Sequence, residues 1–579
     1  MNKKKDKMIA LLAFAIILII MVIDIGVTWG KNKSSAYYLI ILAAIPFAAL
    51  GIFAYRKIRY YKTFEKVRYG WGKEVKRKRD FKSIKGLFNY IDKDSFYIDD
   101  QTWDDLDMNI VYSKVDRTHT SPGEQALYAM LRTPELSYEK LDKRKKVMDI
   151  FQNDSNLREE IGAILFNIGK QRKNYITSLL WEDLPQKTIL KPLFNIAAIL
   201  AYGSIASIVF FGKTAILTFV LPVFTMNLFT HYKIKEKIEG QLLSIRYLSS
   251  VIRGANKISR YDDLEIKEYT EELKKLAHIC RSIPKKSGLI LPESTDVLFE
   301  YAKIFSLKEV RSFYAVLDEI RKNADSLRRL YILLGEVDAL LSVASFRNGL
   351  KHYVEPEFIE GGCSMKVENI FHPLLENPVA NSIEINDEGI IITGSNMSGK
   401  STFLRTIGVN ILFAQTICTC LAESYLASFF RIMTSISRAD NIMGGKSYYL
   451  AEAEALLRIV NASGEKIPCF CIIDEVFRGT NSVERICASS EILNYLVNRN
   501  SIVIIATHDL ELAEMLKENY KCYYFSEKVG QEGLNFDYTI KKGISNTRNA
   551  VKLMDYIGYP KSIIDGTNNR INKFIEDKK

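Results

Sequence analysis

The stretch Gly394-Ser-Asn-Met-Ser-Gly-Lys-Ser-Thr402 constrains this 579-residue chain more than any other. Its spacing is G-x-x-x-x-G-K-[ST]. It follows the β-branched run Ile390–Thr393 and leads into a helical pattern, TFLRTIG. A strand that turns through glycines into a helix N-terminus presents backbone N–H groups that can cradle phosphates. From about Glu360 onward the pattern is therefore that of an α/β domain. Gly394, Ser395, Asn396, Met397, Ser398, Gly399, Lys400, Ser401 and Thr402 are the nucleotide-binding candidates. Lys400 is placed to reach the β- and γ-phosphates and Ser401 to hold Mg²⁺, so ATP and Mg²⁺ are the expected ligands.

About seventy residues downstream comes CFCIIDEVFRGT. Cys469–Ile473 reads as an apolar strand ending in Asp474-Glu475. An acid at that position completes the Mg²⁺ shell (Asp474), and the next orients and deprotonates the attacking water (Glu475). A third strand, SIVIIATHDLELA, delivers His508 at its tip, where an imidazole can sense the γ-phosphate. Glu475, His508 and Lys400 form the expected catalytic set. Between the first two elements, Gly444-Gly445 and Ser447 stand at a helix start. Ser447 has no evident role in its own subunit. It is a candidate for completing a partner's site across a dimer, and an ordinary helix N-cap is the alternative.

The N-terminal half reads differently. Met8 to about Trp29, and Ala36 to about Tyr55, are each long enough to cross a hydrocarbon core of about 30 Å. The linker GKNKSS is short, so the two form a hairpin. Lys3–Lys5 and RKIRYYK flank it, which puts both ends in the cytosol by the positive-inside rule. A second apolar block, about Pro192–Thr230, is split by FGKT and followed by HYKIKEK. It is expected to be another hairpin, with a buried helical hairpin of a soluble domain as the alternative. Asp24 lies within the first span, as a functional carboxylate or an interfacial one. The formal net charge is +12, and Arg56–Lys85 alone holds 13 Lys/Arg against 3 Asp/Glu. Such a segment suits anionic lipid or nucleic-acid phosphate, or serves only to fix topology. Eight cysteines without a CxxC pair give neither zinc spacing nor a secreted disulfide framework, consistent with a reducing compartment.

Taken together, the motifs resemble the MutS family. Its phosphate loop is similar to GSNMSGKST, and its D-E-x-x-R-G-T is matched by Asp474, Glu475, Arg478, Gly479 and Thr480. Asn481-Ser482 stand where its D-loop lies, and Ala506-Thr507-His508 match its A-T-H. Ser447-Tyr-Tyr-Leu-Ala-Glu452 is similar to its S-T-F-M-x-E helix start. FHPLLE (Phe371–Glu376) resembles its R-H-P-x-x-E. PVAN (Pro378–Asn381) sits where the family packs the adenine, which implies Val379 and Asn381 as base contacts. Pro378 replaces an aromatic common in the family. VDRTHTSPGEQALYAMLRTP (Val115–Pro134), LDKRKKVMDIFQ and Leu334–Phe358 look like parts of its helical core. The resemblance implies a homodimer through the ATPase domains, with Ser447 and Asn481 acting in trans.

The sequence-based expectation is thus a multidomain protein. An α/β P-loop, ABC-like ATPase domain joins an all-α core and lever domain, with four transmembrane helices in two hairpins. Residues 1–55 form the first hairpin, 56–90 a basic linker, 91–187 and 233–358 the two parts of the core, 188–232 the second hairpin, and 359–579 the ATPase. No mismatch-reading domain precedes the core. The expected location is the cell membrane, multi-pass, with the ATPase and both termini cytoplasmic. Three functions stay open: an ATPase coupled to DNA, a nucleotide-switched scaffold for an unknown protein partner, and an ABC-like transporter. The transporter is disfavoured by the lack of LSGGQ.

Overall fold

A helical core precedes and braces an α/β domain in the computed structural model, which describes residues 36–93, 96–171, 175–182, 191–287, 297–395, 398–436, 448–477, 481–530, 533–544 and 550–576. At the centre of the core, helix Ser121–Arg132 packs along helix Ala324–Gly349. Thr120 caps the first helix by accepting from the Gly123 amide, and Pro122 sits in its first turn, where no donor is lost. The two backbones approach closely. A Cβ at Gly335 would stand 2.6 Å from the Pro122 carbonyl oxygen, so glycine is needed there. Buried Asp338 accepts from the amides of His119 and Thr120 and from the Thr120 hydroxyl at 2.6 Å. The THTSPG turn is therefore held by a carboxylate whose burial is compensated by three donors.

Part of the basic segment folds back onto this core. Arg77 and Arg79 both pair with Asp116, and Arg68 pairs with Glu159. Burial opposes ionisation of Asp116, yet Lys170, Arg77 and Arg79 hold its carboxyl well below the usual carboxylate range. These three arginines neutralise internal acids, so the segment's formal charge overstates what it offers to an external phosphate.

The expectation of four transmembrane helices in two hairpins is corrected by the fold. Among the described residues, one helix, Lys191–Phe211, is long and apolar enough to cross a membrane, judged by length and composition. The stretch expected to return from it is π-helical at Ile216–Val220 and continues as the 38-residue helix Leu221–Ile258. Ile238, Leu242, Ile245, Leu248 and Val251 of that helix are buried in the core, so it is a core helix with an apolar extension. The second half of the first hairpin is likewise part of one 35-residue helix, Ala36–Gly70, whose far end buries Val67. The other half, residues 8–29 with Asp24, lies outside the described residues.

The α/β domain contains twelve strands among the described residues: β1 (Glu357–Phe358), β2 (Ser364–Ile370), β3 (Asn381–Asn386), β4 (Gly389–Thr393), β5 (Ser424–Ala427), β6 (Arg431–Ile436), β7 (Cys469–Asp474), β8 (Ser501–Ala506), β9 (Tyr520–Tyr524), β10 (Glu527–Gly530), β11 (Gly533–Phe536) and β12 (Lys541–Lys542). The main sheet runs β12-β9-β4-β8-β7-β6 and is parallel except for β12. β4, β7 and β8 are buried along their whole length, which is why they read as unbroken apolar runs. A second sheet, β1-β5-β2-β3, packs beside it.

The core grips the α/β domain through helix Lys400–Ile417. Arg347, at the end of the long core helix, is fully buried. It donates to the carbonyls of Ile417 and Cys418 and, at 2.8 Å, to the Thr419 hydroxyl. Arg144 donates to the Thr416 carbonyl at 2.8 Å. Two guanidinium groups thus satisfy the last carbonyls of this helix, where the macrodipole also favours a cation. Replacing Arg347 by Met keeps the apolar stem and removes the guanidinium donor to the Cys418 carbonyl, while the Thr419 hydroxyl still donates to the Ile417 carbonyl. Arg347→Met is expected to cost about 2–4 kcal/mol, read from urea denaturation. An unchanged midpoint would show that the junction does not depend on this side chain.

Candidate functional site

Adjacent parallel strands bring three separate sequence elements to one edge of the main sheet. β4 pairs with β8 and β8 with β7, with Ile392 opposite Ala506 and Ala506 opposite Asp474. Their C-terminal ends carry the phosphate-loop sequence, Asp474-Glu475 and His508. The loop leaves β4 through Gly394 (φ +143°) and enters the helix through Gly399 (φ +107°). At Gly394 a Cβ would come within 2.7 Å of the Phe525 carbonyl oxygen. Both positions therefore require glycine.

Lys400 is buried, and its ammonium donates to the carbonyls of Gly394 and Ser395, each at 2.8 Å. It lies 3.5 Å from His508 Nε2. Ser401 Oγ donates to Asp474 Oδ2 at 2.5 Å. His508 Nε2 stands 2.9 Å from Glu475 Oε1. Glu475 itself has φ +62°, a left-handed backbone rare for a non-glycine residue, and its amide donates to the Ala506 carbonyl. A cluster of one ammonium, one hydroxyl–carboxylate pair and one carboxylate–imidazole pair is thus assembled within a cavity of about 480 Å³.

Ser395, Gly399, Lys400, Ser401 and Thr402 line this cavity together with Asp474, Glu475 and His508. Ser398 is buried beneath it, its hydroxyl on the Ser395 carbonyl. Val379 and Asn381 also line it. Asn381 also works as a clamp: its Nδ2 donates to the Tyr538 carbonyl at 3.0 Å, and its Oδ1 accepts from the Ile540 amide at 2.8 Å. Asn396, Met397 and Ser447 lie outside the described residues, as do Arg478, Gly479 and Thr480. Asn481 is described. It is exposed, and its side chain caps helix Ser482–Val497 by accepting from the Val483 amide.

Sequence reading missed Tyr538. Its ring lines the cavity, and a Cβ at Gly399 would sit 3.2 Å from its Cδ1, so the ring lies against the phosphate loop. Its backbone is left-handed (φ +51°), held there by the Asn381 clamp, and Phe536 stacks beside it. It stands 157 residues from Asn381 in the chain. The only sequence signal was an aromatic-rich stretch, NFDYT, ahead of the final helices.

A buried neutral histidine completes the wall. His372 Nδ1 accepts from the Leu374 amide, and burial, with Arg405 nearby, pushes the imidazole down to about 4.

This arrangement has the strand–loop–helix form of a P-loop domain, with an acid pair and a histidine beside the loop. The family model described as MutS domain V matches residues 390–575. The protein named DNA mismatch repair protein MutS from Thermus thermophilus is 26% identical over 495 residues, which cover 79% of this chain and 59% of that relative. The MutS of Fusobacterium nucleatum is 26% identical over 518 residues, covering 80% and 57%. That of Thermotoga petrophila is 31% identical over 266 residues, covering 44% and 33%. Residues 390–575 thus match the MutS family, and the likeness to MutS proteins extends over most of the chain. The chain spans less than two thirds of the length of these relatives.

His372 gives the site a pH signature. Unfolded, a histidine takes up its proton near 6.5; folded, His372 does so only near 4. Between these values the unfolded state binds more protons, so stability falls as pH is lowered from about 6.5 toward 4, by at most about 3 kcal/mol from this group. Urea midpoints across this range are expected to slope less in His372→Gln than in the parent chain. Parallel slopes would remove His372 as a contributor.

Proposed function

We propose that the chain is an ATPase whose nucleotide cycle opens and closes a homodimer and is coupled to DNA. One observation carries the catalytic part: Lys400, Ser401, Asp474, Glu475 and His508 converge from three strands on one cavity edge. The name of its relatives, DNA mismatch repair protein MutS, supports the DNA part.

The residues suit ATP and Mg²⁺. Gly394 and Gly399 give the loop its positive-φ turns into helix Lys400–Ile417, whose N-terminal amides are suited to phosphate. Lys400 exchanges its hold on the Gly394 and Ser395 carbonyls for phosphate oxygens. Ser401 and Asp474 already touch, and as a hydroxyl and a carboxylate they would hold Mg²⁺ between them. The metal, when bound, neutralises charge that develops on the phosphates. Glu475 orients the attacking water and accepts its proton, while His508 fixes the direction of the Glu475 carboxylate. Tyr538 offers the flat apolar surface for the base, held in place by Asn381. Ser447 and Asn481 are proposed to complete the partner's site when two domains meet.

Steady-state hydrolysis by the full chain, with homoduplex, mismatched and branched DNA at two salt concentrations, tests this reading. Salt-sensitive stimulation is expected. Hydrolysis indifferent to every DNA would detach the ATPase from nucleic acid. Glu475→Gln is expected to lower kcat by a factor of about 10²–10³ while ATP still binds, and to accumulate an ATP-bound dimer in size-exclusion chromatography. A variant that stays monomeric with ATP would overturn the dimer cycle. Tyr538→Ala is expected to raise KM about 3–10-fold with kcat nearly unchanged, the loss of one stacking contact. An unchanged KM would remove the ring from base binding.

A further inference from the structure

Asp509 occupies the N-cap position of helix Leu510–Met515, yet its side chain caps nothing in that helix. An aspartate there ordinarily accepts from the first free amides. Instead the carboxylate turns away and meets Arg485 in a two-point contact, Nε to Oδ2 at 3.0 Å and Nη2 to Oδ1 at 2.8 Å. Arg485 lies in the first turns of helix Ser482–Val497, whose N-cap is Asn481. Each side chain is about one-fifth exposed, so as a stability element the pair contributes little. Its geometry is nonetheless specific, because a planar fork meets a planar carboxylate.

We propose that the Arg485–Asp509 pair is a positioning device for hydrolysis, locking the turn that carries His508, and through it the Glu475 carboxylate, to the helix that begins at Asn481. The inference rests on the ATPase reading above and deepens it. The contacts form a closed circuit. β7 ends at Asp474 and releases Glu475. Glu475 meets His508 at 2.9 Å, and His508 is covalently followed by Asp509. Asp509 grips Arg485, and the Arg485 amide donates to the Asn481 carbonyl at 2.9 Å, four residues back along the segment that began at Glu475. On its other side the turn is tied to the central strand: Asp509 N donates to Thr507 Oγ1 and Thr507 N to the Ile392 carbonyl.

Two residues in this circuit, Glu475 (φ +62°) and Phe477 (φ +56°), hold left-handed backbone. Such strain persists only where surroundings over-determine it. The Arg485–Asp509 fork is the side-chain closure on the far side of the same segment. Arg485 touches no reacting atom, so it acts through His508 and Glu475. Because Asn481 heads the same helix, a displacement of that helix N-terminus reaches the water-activating carboxylate through this pair.

The test is a double-mutant cycle on the full chain, Arg485→Gln, Asp509→Asn and both together, with kcat, KM for MgATP and equilibrium affinity for a non-hydrolysable ATP analogue. Each single change is expected to lower kcat about 10-fold, with analogue affinity within about 2-fold of the parent. The double variant is expected to lose about the same 10-fold and not about 100-fold, since one contact is removed once. Unchanged kcat, additive losses, or equal loss of analogue affinity would each overturn the positioning role. Absence of turnover in the unmutated chain would instead overturn the ATPase reading itself, and this inference with it.

Discussion

A guanidinium with no exposure to solvent joins the two halves of this protein. Arg347 ends the long core helix and satisfies the carbonyls that end helix Lys400–Ile417, whose other end bears the phosphate loop. Eighteen residues of α-helix span about 27 Å. A helix pinned by the core at its C-terminus and shaped for phosphate at its N-terminus is a rigid lever. Any change of hydrogen bonding at Lys400 acts on a rod whose far end is fixed by Arg347 and Arg144. The same physical logic, unpaired backbone groups at helix ends, governs both ends: amide donors at one, acceptors met by cations at the other.

Strand order explains why the chemistry collects where it does. β4, β8 and β7 are consecutive in the sheet although far apart in the chain, and all are parallel. Their C-terminal ends therefore share one edge, where parallel α/β sheets place ligands. Their complete burial leaves only the strand ends to carry polar groups. On that edge, one wall comes from the phosphate loop and the acids. Val379, Asn381 and Tyr538, from segments outside these strands, complete the lining.

How much was legible follows from how local each signal is. Lys400, Ser401, Asp474, Glu475 and His508 were readable because strand–loop–helix spacing carries its own geometry, and the sheet then brought these residues into one cavity. Tyr538 was not readable, since its place depends on a clamp from a residue 157 positions earlier. Arg485 and Asp509 looked like ordinary helix charges, and only their side-chain directions link them. The apolar blocks were misread for a different reason. Hydropathy counts apolar residues without knowing what covers them, and half of the helix Leu221–Ile258 is covered by the core.

The basic segment shows the same limit in electrostatics: thirteen cations are countable in the sequence, but Asp116 and Glu159 had to be placed beside three of them by the fold. The sequence by itself determined the phosphate loop, the acid pair, the histidine and the α/β character of the last third, because each is encoded by near neighbours. Only the tertiary structure decided that the apolar helices run into the core, that Arg347 seals the junction, that Tyr538 faces the loop and that Arg485 meets Asp509. Each of those is a contact between distant segments, and burial and hydrogen-bond satisfaction across such distances exist only once the chain has folded.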